Sequence, residues 1–264
     1  MTRAIHVSRA VGACVAGLAL SLVSAVHAAA QTPPPRELPA RTIPVPETVS
    51  PQMQKIIGAP INPNWNVFPK TAADWKKQVD AAAAEAAKRL PALREQLRVK
   101  LEPMTVGGVK AYALTPQDMP AENRNRLLIH VLGGCYVSNP GESGTSEATM
   151  MAGFGRFKVI SVDYRMPPEA YFPAALDDAI AVWKAAQSMA PARNTAIFGS
   201  SAGGGLTLSA VLRVHRKLRQ AGVEAVLEVF EGQAHGGWYR DANVPESKEA
   251  FEEIARFFDK HLGK

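Results

Sequence analysis

Cysteine is nearly missing from this sequence: there are two in 264 residues. Cys14 falls in the N-terminal stretch and leaves with it if that stretch is cleaved, so Cys135 has no intrachain partner and a disulfide framework is excluded. No Cys-x-x-Cys or His-Glu-x-x-His spacing occurs, so neither a metal nor another cofactor is expected. A clustered basic face is also lacking. The formal charge of +6 falls to +4 without the two arginines of residues 1–28, and the one basic run, "RVHRKLR", reads as a solvated helix face. A nucleic-acid partner is therefore not expected. Long hydrophobic runs are few too. "AVGACVAGLALSLVSAV" is short and weakly hydrophobic for a membrane span, so no stable anchor is expected. Arg3 and Arg9 precede it and the small residues of "VHAAAQ" follow, which reads as a secretory signal peptide over residues 1–28. A periplasmic or secreted location follows as an expectation.

The remainder is ordinary globular composition, 47% hydrophobic and 20% charged, and long enough for one sizeable core. Residues 29–70 open proline-rich and read as an arm or linker; 71–264 read as a single domain whose first part, 71–99, is a helical cap segment. Pro91 is a natural break in that helix. "KLEPMTV" and "KAYALTP" around Gly107-Gly108 predict a hairpin. Then come the strand "LLIHVL", a helix near 144–155, the strand "FKVISVDY", the amphipathic helix "FPAALDDAIAVWKAAQ" and the strand "NTAIFG". Hairpin followed by alternating strands and helices predicts an α/β fold, a mostly parallel sheet with helices on both faces. A helix from Ala202 to about Ala221, the strand "VEAVLEVF" and the closing helix "PESKEAFEEIARFFDKHL" complete the order.

"AIFGSSAGGGL" holds a Gly-x-Ser-x-Gly pattern, frequent by itself. Its context makes it specific: an apolar strand ends at Gly199 and a helix begins directly after Ser201. Such a strand-to-helix turn strains the serine. Small residues at 199 and 203 let the backbone pass closely, and the helix N-terminus offers free N–H groups to negative charge.

These residues and their neighbours resemble the hormone-sensitive-lipase-like family of α/β-hydrolase esterases. "HVLGGCYV" is similar to its HGGG-type loop, "DYRMPPEAYFPAALDDA" to its DYR-x-x-PE segment, "GSSAGG" to its GDSAGG and "EVFEGQAHG" to its histidine-bearing end. The resemblance implies Ser201 as nucleophile, His235 as general base, and the backbone N–H groups of Gly133, Gly134 and Ala202 as oxyanion hole, acting on a small-molecule ester. Elimination among the six histidines agrees. His6 and His27 lie in the signal, His130 inside an apolar strand, His215 on a basic helix and His261 at the tail. Only His235 sits in a loop after a strand. Leu132 replaces the family's loop histidine and Ser200 its aspartate. Cys135 beside the loop reads as a small buried residue rather than a reactive thiol.

The family's order is Ser, then an acid, then His. Between Ser201 and Glu224 this chain has no carboxylate, and one helix fills the interval. The sequence resembles an esterase with an internal deletion near Leu212–Arg213, shortened by about two strands. Glu224, Glu228, Glu231 and Asp241 are the remaining acids near His235, none at the family's position. The expectation is a serine esterase of short-acyl esters or lactones impaired by loss of its acid; a non-catalytic binding protein is the alternative.

Overall fold

A computed structural model describes residues 41–207, 235–239 and 241–263. The chain divides into units 1–43 and 44–264, and the second carries the fold. The signal segment, "RVHRKLR", the rest of the helix after Thr207, the strand "VEAVLEVF" and Glu224, Glu228 and Glu231 lie outside the described residues.

Five described strands form one sheet: β1 (Val99–Val106), β2 (Val109–Pro116), β3 (Leu127–Val131), β4 (Lys158–Val162) and β5 (Thr195–Phe198), in the order β1-β2-β4-β3-β5. The hairpin joins antiparallel to β4, while β4, β3 and β5 run parallel. The parallel strands are the ones linked by helices, because a parallel pair needs a crossover whereas the Gly107-Gly108 turn can only reverse the chain. All five residues of β3 are buried, as a central strand covered on both faces requires.

Alternate side chains of β3 feed two cores. Leu127, Ile129 and Val131 join α4 (Ala174–Ala186) through Ala179, Val182 and Ala186, with Leu206 alongside. Leu128 faces α3 (Ser146–Gly155) and α5 (Pro245–His261), among Met150, Met151, Phe251 and Phe258. The period-two alternation of the strand thus sorts its residues between the two helical layers.

Two expectations are corrected. Helix α2 (Ala72–Gln96) runs through Pro91 without a break. Proline removes one backbone hydrogen bond, but Leu90 is buried and Leu93 packs on the α3–α5 core, so tertiary packing on both sides of Pro91 holds the helix together. The stretch read as arm also contributes structure. Helix α1 (Pro51–Ile57) is capped by Ser50, whose Oγ accepts from the Met53 N–H at 3.1 Å. Val49 and Met53 bury against Val244, and the Glu246 carboxylate accepts from Ser50 N–H at 2.6 Å and Oγ–H at 2.7 Å. Residues 44–57 are therefore part of the folded unit.

Candidate active site

Register brings Gly133 and Ser201 together. β3 and β5 pair in parallel with His130 opposite Phe198. Three residues beyond that pair lie Gly133 on one chain segment and Ser201 on the other. They are in contact: a Cβ added at Gly133 would stand 2.8 Å from the Ser200 carbonyl oxygen and 3.3 Å from Ser201 Cβ. Ser201 itself has φ 53°, a left-handed conformation that costs a non-glycine residue about 1–3 kcal/mol and is kept only where surroundings enforce it. Residues 202–207 are helical, and Gly205 N–H donates to the Ser201 carbonyl at 3.0 Å. A Cβ at Gly199 or Gly203 would collide with the Val131 carbonyl oxygen, so both glycines are required by the close passage of the turn over β3.

The loop after β3 is held from two sides. Tyr164, following β4, donates its phenolic O–H to the Leu132 carbonyl at 2.8 Å, and Asn139 Nδ2 donates to the Gly133 carbonyl at 3.1 Å. Burial pushes the Tyr164 phenol well above its ordinary pKa, so it remains a donor throughout the physiological range. Beyond Gly133 the chain turns tightly. Val137 and Ser138 N–H both donate to the Gly134 carbonyl, and Gly134, Cys135 and Tyr136 all have positive φ. This outward turn corrects the reading of Cys135: it is free and exposed, not a buried packing residue. Among the described residues no group of His, Cys, Asp and Glu could hold a metal ion.

His235 is exposed and sits in a turn with Gly236, ahead of a 3-10 turn over Gly237–Tyr239. Ser146 Oγ donates to the Tyr239 carbonyl at 3.3 Å, which fastens this loop to the start of α3. No hydrogen bond joins His235 to Ser201 or to a carboxylate among the described residues. Asp241 spends its Oδ1 on Asn243 N–H and Nδ2, at 2.9 and 3.0 Å, as a local turn. A cavity of about 740 Å³ is lined by Gly133, Ser200, Glu147, Tyr239, Asn243 and Leu90 of α2. Helix α2 is tied to this region by Arg94 to Glu142 at 2.6 Å and Gln96 to Asn243 at 2.9 Å.

One constellation escaped the sequence reading. His130 is fully buried, its Nδ1 2.8 Å from Ser161 Oγ on β4 and its Nε2 3.1 Å from Glu147 Oε2 on the first turn of α3. Ser200 Oγ donates to the same Oε2 at 2.9 Å. The signal available was His130 itself: an imidazole inside an otherwise apolar strand must find partners for both nitrogens. Which partners could not be read without the register, His130 opposite Ser161.

Residues 128–217 match the family model described as α/β hydrolase fold. The chain has the α/β-hydrolase fold. Over 105 residues it is 34% identical to an acetyl-hydrolase of Streptomyces hygroscopicus, a match covering 39% of this chain and 33% of that protein. The crystal structure of an esterase, E25, superposes with TM-score 0.77 at 26% identity, covering 87% of this chain and 99% of that one. A hormone-sensitive-lipase homologue from a metagenome library, EstE7, shares the fold at TM-score 0.56 and 16% identity, over 74% of this chain and 100% of its own. The chain spans less than half the length of the curated relatives it matches.

Proposed function

We propose that this protein hydrolyses short-acyl carboxylic esters, lactones among them, through an acyl-enzyme. The observation that carries the reading is Ser201, held left-handed at a strand-to-helix turn directly against Gly133. Ser201 Oγ attacks the ester carbonyl while His235 takes its proton. The oxyanion that forms is met by the N–H groups of Gly133, Gly134 and Ala202, each worth about 3–4 kcal/mol in such sites. His235 then protonates the leaving alcohol, and water, deprotonated by the same imidazole, releases the acid and regenerates Ser201. Residues 202–223 carry no Asp or Glu, so His235 works without an acid at the family's position. Turnover is expected about 10⁴-fold below that of a complete triad. The relatives named as acetyl-hydrolase and esterase support the reaction class. No described helix is long and apolar enough to cross a membrane, and export through cleavage of residues 1–28 is part of the proposal.

The test is hydrolysis of p-nitrophenyl acetate by wild type and Ser201→Ala, with mass-spectrometric detection of one fluorophosphonate adduct on Ser201. Equal rates from the two proteins overturn the proposal, and folded protein that takes no label is a binding protein instead. The mass of the exported chain, expressed with its own N-terminus, checks the cleavage.

A further inference from the structure

Ser201 occupies a backbone conformation it would not choose, and something must hold it there. The residue before it is the means. Phe198 and Ser200 lie two apart at the end of β5, so both side chains turn to the α3 side of the sheet while Ser201 is carried around the turn. There Ser200, buried at 6% exposure, gives its hydroxyl proton to Glu147 Oε2, and its carbonyl oxygen is hemmed by Gly133. Ser200 is thus gripped by side chain on one side and backbone on the other.

The grip is itself oriented. A carboxylate oxygen only accepts, so His130 Nε2 donates to Glu147 Oε2, while Nδ1 lies within hydrogen-bond reach of the Ser161 hydroxyl. The row Ser161–His130–Glu147–Ser200 is continuous, and each member is buried. Glu147, on the first turn of α3, also gains from the helix N-terminus. A buried carboxylate is tolerated where such donors meet it and is costly otherwise.

We propose that Glu147, oriented by His130 and Ser161, is a positioning residue that fixes Ser200 and thereby sets Ser201 against Gly133. The role rests on the esterase reading for its catalytic consequence but not for its structural one. Losing the anchor lets the 200–201 peptide relax, and a displacement near 1 Å between nucleophile and oxyanion donors can cost about 100-fold in rate.

Three variants test it: Ser200→Ala removes the hydroxyl, Ser200→Thr keeps one, and Glu147→Gln removes the charge while keeping the shape. Amide hydrogen exchange in the free protein is followed over residues 131–139 and 199–206, beside urea stability and p-nitrophenyl acetate kinetics. Ser200→Ala and Glu147→Gln are expected to speed exchange in both segments about 10-fold or more, with β4 amides unchanged apart from global stability. They should lower kcat about 10- to 100-fold with KM within about 3-fold, and Ser200→Thr should restore both readouts. Variants that lose only global stability, with exchange over residues 131–139 and 199–206 and kcat per folded molecule at wild-type values, overturn the proposal. If wild type itself neither labels nor turns over, the esterase reading fails, and the exchange result still decides whether Glu147 positions the turn.

Discussion

Arg126 heads the largest fully buried side chains among the described residues and binds the C-terminal end of α5. Its guanidinium donates to Asn123 Oδ1 at 3.0 Å, to Asp259 Oδ1 at 2.6 Å, and to the carbonyls of Leu262 at 3.2 Å and Gly263 at 3.3 Å. The guanidinium carbon lies over the Phe157 ring, 6.0 Å from its centroid. Arg126→Met keeps an apolar stem of similar reach and deletes every donor. Asp259 is 54% exposed and rehydrates, so its ion pair accounts for little of the loss. The Asn123 amide oxygen and the Leu262 carbonyl cannot rehydrate in place, and each orphaned acceptor costs about 1–3 kcal/mol. The expected destabilisation is about 3 kcal/mol, which at a urea dependence near 2 kcal/mol per molar lowers the midpoint by about 1.5 M. Arg126→Lys, with one compact ammonium in place of the fork, should recover only part of this. Urea unfolding followed by tryptophan fluorescence measures it. A midpoint drop below about 0.3 M for Arg126→Met would refute the claim that these buried acceptors depend on the guanidinium.

Gly133→Ala places a methyl 2.8 Å from the Ser200 carbonyl and should cost about 1–3 kcal/mol by overpacking, with kcat for p-nitrophenyl acetate down about 100-fold as the loop N–H groups shift; calorimetry and steady-state kinetics check the two parts. Tyr164→Phe frees the Leu132 carbonyl, and should cost about 1–2 kcal/mol in urea unfolding and reduce kcat more than it changes KM. Burial would raise the Glu246 carboxyl pKa, but the Ser50 N–H and O–H it accepts hold it below its ordinary 4.5. A lowered folded-state pKa contributes stability that is complete above the unfolded value and lost as pH falls through the folded one. The urea midpoint of wild type should therefore exceed that of Glu246→Gln at neutral pH by an amount that shrinks below pH 4.5; a gap independent of pH would exclude the linkage.

Local pattern carried much of this architecture. The spacing of apolar residues, the Gly107-Gly108 turn and the strand-to-helix context of "FGSSAGG" suffice for the hairpin, the parallel strands β3 to β5, the helices α3, α4 and α5, and a serine poised at their junction, because periodicity and steric limits act within a few residues. Pro91 misled because its cost is local while the packing of Leu90 and Leu93 that outweighs it is not. Cys135 misled because composition says nothing about which way a loop turns.

Contacts between distant segments obey a different rule. Gly133 meets Ser201, and His130 meets Ser161, only through the register of three parallel strands, and Glu147 reaches Ser200 only because α3 lies over that row. Arg126 likewise shows its purpose only when residues 123, 259 and 262 converge on it. A chain's order lists the donors and acceptors; burial, which removes water as a competing partner, selects the pairs that must form.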